Sequence, residues 1–185
     1  VITNTGFSIV RPLVEAPQRV NLVRNGSFGS GMTNWQTYAT PDLSYVQSDV
    51  TSGVFQFNRL SPPPNSSNQA VVFQETGMAL PAGAPIQARF DLGNSSSVRR
   101  RISVLLLESD FSDLHVCTFW VPPNAPLATY RMRSHTTKAW SNAAIYFYAA
   151  TDGIDGGFNL IDDVSLQYDA TFASDVTECW DPTRP

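Results

Sequence analysis

The chain has 185 residues, a length that supports one sizeable hydrophobic core and does not require a second domain. Charged residues make up 15% of the sequence and the formal net charge is −4, so we expect no basic face that binds nucleic acid. No run approaches the roughly eighteen apolar residues of a membrane span, and the opening VITNTGFSIV lacks the features of a signal peptide. These features favour an uncharged or weakly polar partner.

Three regions are predicted along the chain. Residues 1–19 contain Pro12 and Pro17 and no sustained period, which predicts a linker or edge segment, because proline donates no hydrogen bond to a central sheet. Residues 20–169 alternate short apolar runs with turn segments such as SPPPNSSN and TDGIDGG, and 170–185 form a C-terminal tail. Strands are predicted at 19–24, 43–47, 54–59, 69–75, 86–92, 101–108, 115–121, 128–134, 143–149 and 159–167. So many short strands indicate an all-β sandwich or barrel.

Several of these runs alternate with period two, which assigns residues to opposite faces of a strand. In AAIYFYA, Tyr146 and Tyr148 lie opposite Ile145 and Phe147. The same alternation in HVCTFWV and ATYRMRS gives one apolar face and one aromatic or cationic face. The residues predicted opposite the apolar faces of these two strands are Val116, Thr118, Trp120, Arg131 and Arg133.

The chain contains two cysteines, Cys117 and Cys179. A disulfide between them would join the C-terminal tail to the rest of the domain. The sequence is equally compatible with two unpaired thiols. Both alternatives stay open at this point.

Four segments resemble parts of carbohydrate-binding modules with the galactose-binding-like jelly-roll fold. The opening NLVRNGSFGSGMTNW and the closing NLIDDVSLQYD resemble the two signature ends of that family, while VFQETGMALPAGAPIQARFDL and LATYRMRSHTT resemble internal strands. The resemblance covers roughly residues 20 to 168. It implies a jelly-roll β-sandwich of two antiparallel sheets, in which the chain turns at Asn25 and Gly26, Phe28 enters the core and Trp35 caps one end.

A sugar site needs an aromatic platform for the apolar face of a pyranose, with polar side chains around it for the hydroxyl groups. Trp140 lies in a predicted loop, where it either stacks on a ligand or pins the loop. The alternative for the aromatic residues is that they fill a second apolar layer or an interface. The candidate ligand-binding residues are Trp120, Tyr146, Tyr148, Trp140, Arg131 and Arg133, with Arg89 as a further polar partner.

The family resemblance also implies a structural calcium ion, for which Asp162 of the Asp-Asp-Val triplet is the expected ligand. The family has a glutamate where this chain has Gly29, so one charged ligand is missing. The alternative is that Asp162 caps a loop or accepts backbone N–H groups. The arginine run 99–101 is interpreted as the solvated start of a strand.

No catalytic residues are predicted, because His115 and His135 belong to different strands and no nucleophile or metal motif accompanies them. We therefore expect a noncatalytic carbohydrate-binding module of a larger, multidomain extracellular protein, with a glycan or polysaccharide as its partner. The alternative is a structural or protein-interacting β-sandwich, such as an adhesion or spacer module of a surface protein. Exposure of Trp120, Trp140, Tyr146 and Tyr148 separates the two interpretations.

Overall fold

The computed structural model describes residues 20–40, 42–60, 70–151 and 156–184, so the predicted segment 1–19 lies outside the described residues. Within these ranges the chain forms strands and one short 3-10 helix, Leu43–Tyr45. The described part contains no helix with the length and hydropathy needed to cross a membrane. The strands are β1 (Gln36–Ala39), β2 (Val46–Thr51), β3 (Val54–Arg59), β4 (Ala70–Glu75), β5 (Pro85–Asn94), β6 (Arg100–Glu108), β7 (Leu114–Val121), β8 (Ala128–His135), β9 (Ala143–Ala149), β10 (Asn159–Tyr168) and β11 (Glu178–Trp180).

The strands form two antiparallel sheets that pack face to face. The five-stranded sheet has the order β1-β4-β9-β6-β7, and the six-stranded sheet has the order β11-β8-β5-β10-β3-β2. Strand neighbours in space are mostly distant in sequence, as in a jelly roll. The predicted all-β sandwich is therefore confirmed.

The predicted strand 19–24 is wrong over its described residues, 20–24, and the predicted strand 43–47 is wrong over residues 43–45, while two strands were not predicted. Residues 20–24 form no strand: Leu22 donates its backbone N–H to Leu166 of β10 at 2.8 Å, and the chain bends from Val23 onward. Residues 43–45 are a 3-10 helix, since the Asp42 carboxylate accepts the Ser44 N–H at 2.8 Å. The short strands β1 and β11 carry too few alternating residues to stand out in the sequence.

The predicted inward faces form the core between the sheets. Alternate side chains of β7 and β8 are buried there, whereas β9 is buried on both faces, because Ala144 and Tyr146 belong to a second apolar cluster with Val71 and Leu107. The predicted faces of β7, β8 and β9 are confirmed. Their core residues are Cys117, Phe119, Val121, Tyr130, Met132, Ile145 and Phe147.

The opening motif and the last long strand meet at Gly26. The backbone carbonyl of Gly26 accepts the Val164 N–H at 3.0 Å, and a Cβ atom on Gly26 would lie 1.9 Å from the Val164 carbonyl oxygen. Only glycine allows this approach. The NGSF segment and the DDVSL segment are therefore in direct contact.

The side chain of Asn25 organises the loop that follows. Its Nδ2 donates to the carbonyls of Gly31 and Thr33, at 2.8 and 3.0 Å, while its backbone carbonyl accepts the Trp35 Nε1–H at 3.0 Å. The indole is buried and its centroid lies 5.0 Å from that of Phe28. Phe28 and Trp35 therefore have the structural roles that the resemblance implied.

The C-terminal tail is fixed to both sheets. Cys117 of β7 and Cys179 of β11 form a disulfide, which resolves the alternative left open by the sequence. Strand β11 pairs with β8, so the predicted tail supplies the edge of the six-stranded sheet.

Candidate functional site

The outer face of the five-stranded sheet carries aromatic side chains in neighbouring strands. The strand registers place Tyr146 of β9 beside Phe73 of β4 and Leu105 of β6. In the next row, Tyr148 lies between Val71 and Ser103. Every one of these residues points away from the main core, because its neighbours along the strand point into it.

A depression of 220 Å³ lies over this row at the β1 side of the sheet. Tyr38 is 49% exposed and Phe111 is 48% exposed, so both rings are accessible along its rim. Aromatic side chains thus surround a concave site of the kind that binds small ligands. The lining residues are Tyr38, Val71, Phe73, Phe111, Tyr146 and Tyr148.

Tyr146 forms the floor of the depression and is held by aromatic neighbours. Phe111 stacks on it with centroids 5.4 Å apart and an interplanar angle of 11°, and Phe73 meets it edge-on at 4.5 Å. Only 5% of Tyr146 is exposed, so a ligand would reach the neighbouring rings before this one. Burial, together with the nearby Glu75 carboxylate, raises the pKa of Tyr146 to about 12.

Tyr148 is half-buried beside Tyr146, with ring centroids 6.4 Å apart. Burial is the main cause that raises the pKa of the Tyr148 hydroxyl, and Tyr38 adds to the shift. Both tyrosines are therefore neutral at pH 7, and each hydroxyl can donate as well as accept a hydrogen bond.

A second depression, of 340 Å³, continues the surface toward the other end of the sheet. Its lining includes Tyr148, Ser103 and Arg101, so the aromatic row gives way to hydrogen-bonding groups. Arg101 lies opposite Trp120 of β7, and its guanidinium carbon is 5.6 Å from the centre of the indole ring. The guanidinium carbon of Arg99 lies 4.7 Å from the same centre. Guanidinium groups are thus packed against the Trp120 ring.

The structure brings together three of the predicted ligand-binding residues and separates the others. Trp120, Tyr146 and Tyr148 share the outer face of the five-stranded sheet. Arg131 and Arg133 lie on β8 in the six-stranded sheet, as does Arg89 on β5. These arginines therefore do not flank the aromatic row, because the main core separates the two outer faces.

Trp140 is buried, with 1% of its surface exposed, so its predicted role as an exposed stacking residue is wrong. Its indole Nε1–H donates to the Asp113 carboxylate at 2.7 Å, and its backbone pairs with Leu80. Trp140 pins its loop, which was the alternative that the sequence left open.

The arginine run is likewise not uniformly solvated. Arg100 is completely buried and donates to Asn58 Oδ1 and to the Gly157 carbonyl, each at 2.9 Å. Arg99 and Arg101 are exposed. The expectation of a solvated strand start is therefore wrong for Arg100, because alternation turns the middle residue inward.

Calcium binding at Asp162 stays a prediction. Asp162 lies on β10 opposite Asp91, and its carboxylate accepts the Asp163 N–H at 2.8 Å. Burial is the main cause that raises the pKa of Asp162, and the neighbouring Asp163 and Asp91 carboxylates add to the shift. Across the described ranges, no group of three or more His, Cys, Asp or Glu residues is arranged to hold a metal.

The sequence interpretation missed several residues of the aromatic surface. Tyr38 belongs to the unpredicted strand β1, and Phe111 belongs to the turn between β6 and β7. Phe73 and Leu105 lie in predicted strands, where alternation alone assigns a face but does not show which strands are neighbours. Residues 70–73 are all apolar and the buried Gln74 is polar, so alternation in this segment gave no signal for the face of Phe73.

Solved structures share this fold at low sequence identity, while no protein-family model and no curated protein matches the sequence. A CBM4 carbohydrate-binding module is 17% identical with a TM-score of 0.57, over 80% of this chain and 99% of that one. A structure described as a sugar-binding protein of Bacteroides thetaiotaomicron is 11% identical with a TM-score of 0.58, over 81% and 100%.

A third similar structure is the enzymatically active domain of tailspike protein 4 from bacteriophage CBA120, which is 17% identical with a TM-score of 0.56. The match covers 80% of this chain but only 21% of the tailspike chain. Identities this low establish the fold alone. The chain is a jelly-roll β-sandwich with the architecture of carbohydrate-binding modules.

Proposed function

We propose that the chain is a noncatalytic carbohydrate-binding module of a larger extracellular protein, and that it binds an uncharged glycan on the outer face of the five-stranded sheet. The observation that carries this proposal is the row of aromatic rings that runs from Tyr38 to Tyr148 and ends beside Arg101 and Trp120. Of the four aromatic residues whose exposure separates the two interpretations, Trp120 and Tyr148 are partly exposed.

The chemistry of this surface matches that of a sugar. The accessible rings of Tyr38, Phe111 and Tyr148 offer apolar faces for the C–H groups of a pyranose. At the polar end, Ser103 and Thr118 share a hydrogen bond of 3.0 Å and keep further hydrogen-bonding capacity for sugar hydroxyls. Arg101 is exposed and supplies donors next to them.

Two buried carboxylates and one histidine elsewhere in the fold have structural partners, which supports a noncatalytic role for these three residues. The Glu108 carboxylate accepts hydrogen bonds from Asn142 N–H and from the backbone N–H of Ser141. Asp113 accepts the Thr137 N–H at 2.8 Å as well as the Trp140 indole. The ring of His135 stacks on Phe172 with centroids 4.8 Å apart.

The test is isothermal titration against a panel of neutral polysaccharides, namely β-glucan, xylan, mannan and galactan. We expect one of them to bind, and we expect Tyr38→Ala and Tyr148→Ala each to raise the Kd about tenfold, which corresponds to roughly 1.4 kcal/mol. Tyr148→Phe keeps the ring and should bind nearly as well as the unmodified chain. Trp180→Ala, on the other sheet, is the control and should leave this Kd unchanged.

Tryptophan fluorescence gives an independent readout. Trp35 and Trp140 are buried and Trp180 belongs to the other sheet, so Trp120 reports on this surface. A change in emission on titration should disappear in Trp120→Phe. Absence of binding to the whole panel at millimolar sugar would contradict the proposal.

Protein binding by the same face is the second candidate function. Leu114 and Val116 are 42% and 45% exposed at the β7 edge, and such apolar patches favour a protein contact. If this face binds a second copy of the chain, sedimentation equilibrium should show self-association, and Leu114→Thr should weaken it. A monomer that binds a neutral glycan would reject this candidate.

A further inference from the structure

The outer face of the six-stranded sheet carries a second, chemically different surface. The strand registers align Ser165 of β10, Arg89 of β5, Arg131 of β8 and Trp180 of β11 in one row across four strands. A depression of 170 Å³ lies on this row, lined by Arg89, Thr129, Arg131 and Trp180. None of these residues belongs to the aromatic surface of the proposed function.

Arg89 and Arg131 lie directly opposite each other on neighbouring strands, an arrangement that like charges disfavour. No carboxylate oxygen of the described residues lies within 4.0 Å of either guanidinium group. The two adjacent rows of this face carry the opposed carboxylates of Asp91 and Asp162 on one side and Glu178, opposite Arg133, on the other. None of these three carboxylates forms an ion pair with Arg89 or Arg131. The two positive charges are thus left without a direct counter-ion in the described part of the chain.

Arg133, on the same strand as Arg131, has a carboxylate partner. Its Nε lies 3.2 Å from the Asp169 carboxylate and donates to the Gln87 side chain at 3.1 Å. The lack of a carboxylate partner is therefore specific to Arg89 and Arg131 and does not extend to Arg133 along β8.

Trp180 closes one side of the depression. The guanidinium carbon of Arg131 lies 5.7 Å from the centre of the Trp180 ring, and 46% of the residue stays exposed. Cys179, the preceding residue, is joined to Cys117, so the indole is anchored to the opposite sheet. An anchored indole beside a guanidinium group presents both a stacking face and a fixed donor set.

A groove rich in hydrogen-bonding groups continues from the depression. It has a volume of 170 Å³ and is lined by the three arginines of β5 and β8, by Gln87, Gln167, Tyr168 and Thr171, and by Asp169, whose carboxylate is paired with Arg133. Amide and hydroxyl groups of this kind satisfy the hydroxyls of a sugar ring next to a charged group.

We propose that Arg89 and Arg131, with Trp180 beside them, bind the oxyanion of an acidic saccharide, either the carboxylate of a uronic acid or a sulfate ester. Two adjacent guanidinium groups supply paired N–H donors that match both oxyanions. Binding an anion there also removes the repulsion between the two opposed cations. The chain would then hold an acidic saccharide on one face and a neutral glycan on the other.

The test is titration of the intact, oxidised chain with trigalacturonate, with a sulfated galactose trisaccharide and with neutral galactotriose, followed through the amide and indole resonances in NMR spectra. We expect an acidic trisaccharide to shift the Trp180 indole resonance, and we expect Arg89→Gln and Arg131→Gln each to raise its Kd at least about tenfold. Arg131→Lys keeps the charge but loses the paired donors, so it should bind with intermediate affinity. Binding of the carboxylated or of the sulfated probe identifies which oxyanion the site takes.

Arg24→Gln is the matched control, because Arg24 is exposed, lies outside both surfaces and changes the net charge equally. It should leave the Kd unchanged. The proposal is overturned if neither acidic probe binds at millimolar concentration, or if Arg24→Gln weakens binding as much as Arg131→Gln does. Binding of a neutral glycan to the five-stranded sheet is measured separately with Tyr148→Ala, so failure of one proposal is distinguishable from failure of the other.

Discussion

At the scale of single residues, Gly26 connects the opening loop to the last long strand. A methyl group at this position would meet the backbone carbonyl of Val164, which has no side-chain freedom to move away. We expect Gly26→Ala to destabilise the fold by about 1–3 kcal/mol, as overpacking does. This corresponds to a fall in Tm of roughly 3–10 °C in a thermal melt.

Gly29→Ala is the matched control for this prediction. A Cβ atom on Gly29 would lie 3.7 Å from the Ser27 hydroxyl, an ordinary contact. Its Tm should therefore stay close to that of the unmodified chain. An equal loss in both variants would show that general loop flexibility, and not the contact with Val164, decides the stability.

His115 predicts a pH dependence of stability. Burial lowers the pKa of His115, and the Asp113 carboxylate, 3.7 Å from its Nε2, offsets only part of this effect. As the pH falls through about 6.5, His115 takes up a proton in the unfolded chain before it does so in the folded chain. The contribution of His115 to the free energy of unfolding is therefore fully present above pH 6.5 and decreases below that value.

Urea denaturation at pH 7.5, 6.0 and 5.0 measures this effect. We expect the free energy of unfolding to decrease over that range, and we expect the decrease to be smaller in His115→Gln. Burial raises the pKa of the Asp113 carboxyl, but hydrogen bonds from Trp140 and Thr137 lower it by more. The pKa of Asp113 is therefore below its usual value. The contribution of Asp113 is therefore lost only in more acidic solution. A flat profile between pH 7.5 and 5.0 would contradict the prediction.

At the scale of an element, β11 depends on its disulfide. The strand has three residues, all exposed, and it pairs only with β8 at the edge of the sheet. The disulfide spans 62 residues, for which the chain-entropy treatment gives a stabilisation of about 4 kcal/mol. We expect reduction, or the double variant Cys117→Ser and Cys179→Ser, to lower the Tm and to release β11 while the core stays folded.

Hydrogen exchange measures this release residue by residue. The amides of β11 should lose protection on reduction, while those of β9 in the middle of the five-stranded sheet should keep it. Loss of protection in both elements would show that the disulfide is required for the whole sandwich.

At the scale of the whole molecule, the two outer faces are separated by the main core and carry different side-chain chemistry. One presents a row of tyrosine and phenylalanine rings that ends at Arg101 and Trp120, and the other presents the opposed Arg89 and Arg131 with glutamines and Trp180. Sites with no shared contacts contribute additively. We therefore expect the double variant Tyr148→Ala and Arg131→Gln to bind the neutral glycan as weakly as Tyr148→Ala alone and the acidic saccharide as weakly as Arg131→Gln alone. Each binding free energy should agree with that of the single variant within about 0.5 kcal/mol.

Titration of the double variant with neutral and acidic probes tests this independence. A shift in the neutral-glycan Kd on Arg131→Gln alone would contradict it. Such a shift would mean that the sheets transmit a change across the core.

The sequence by itself determined the all-β class and the inward and outward faces of β7, β8 and β9. Alternation and turn residues are local signals, so they hold for each strand taken alone. Only the tertiary structure decided which strands are neighbours. That decision put Tyr146 and Trp120 on one sheet, Arg131 on the other and Trp140 inside, because pairing and burial depend on residues far away in the chain.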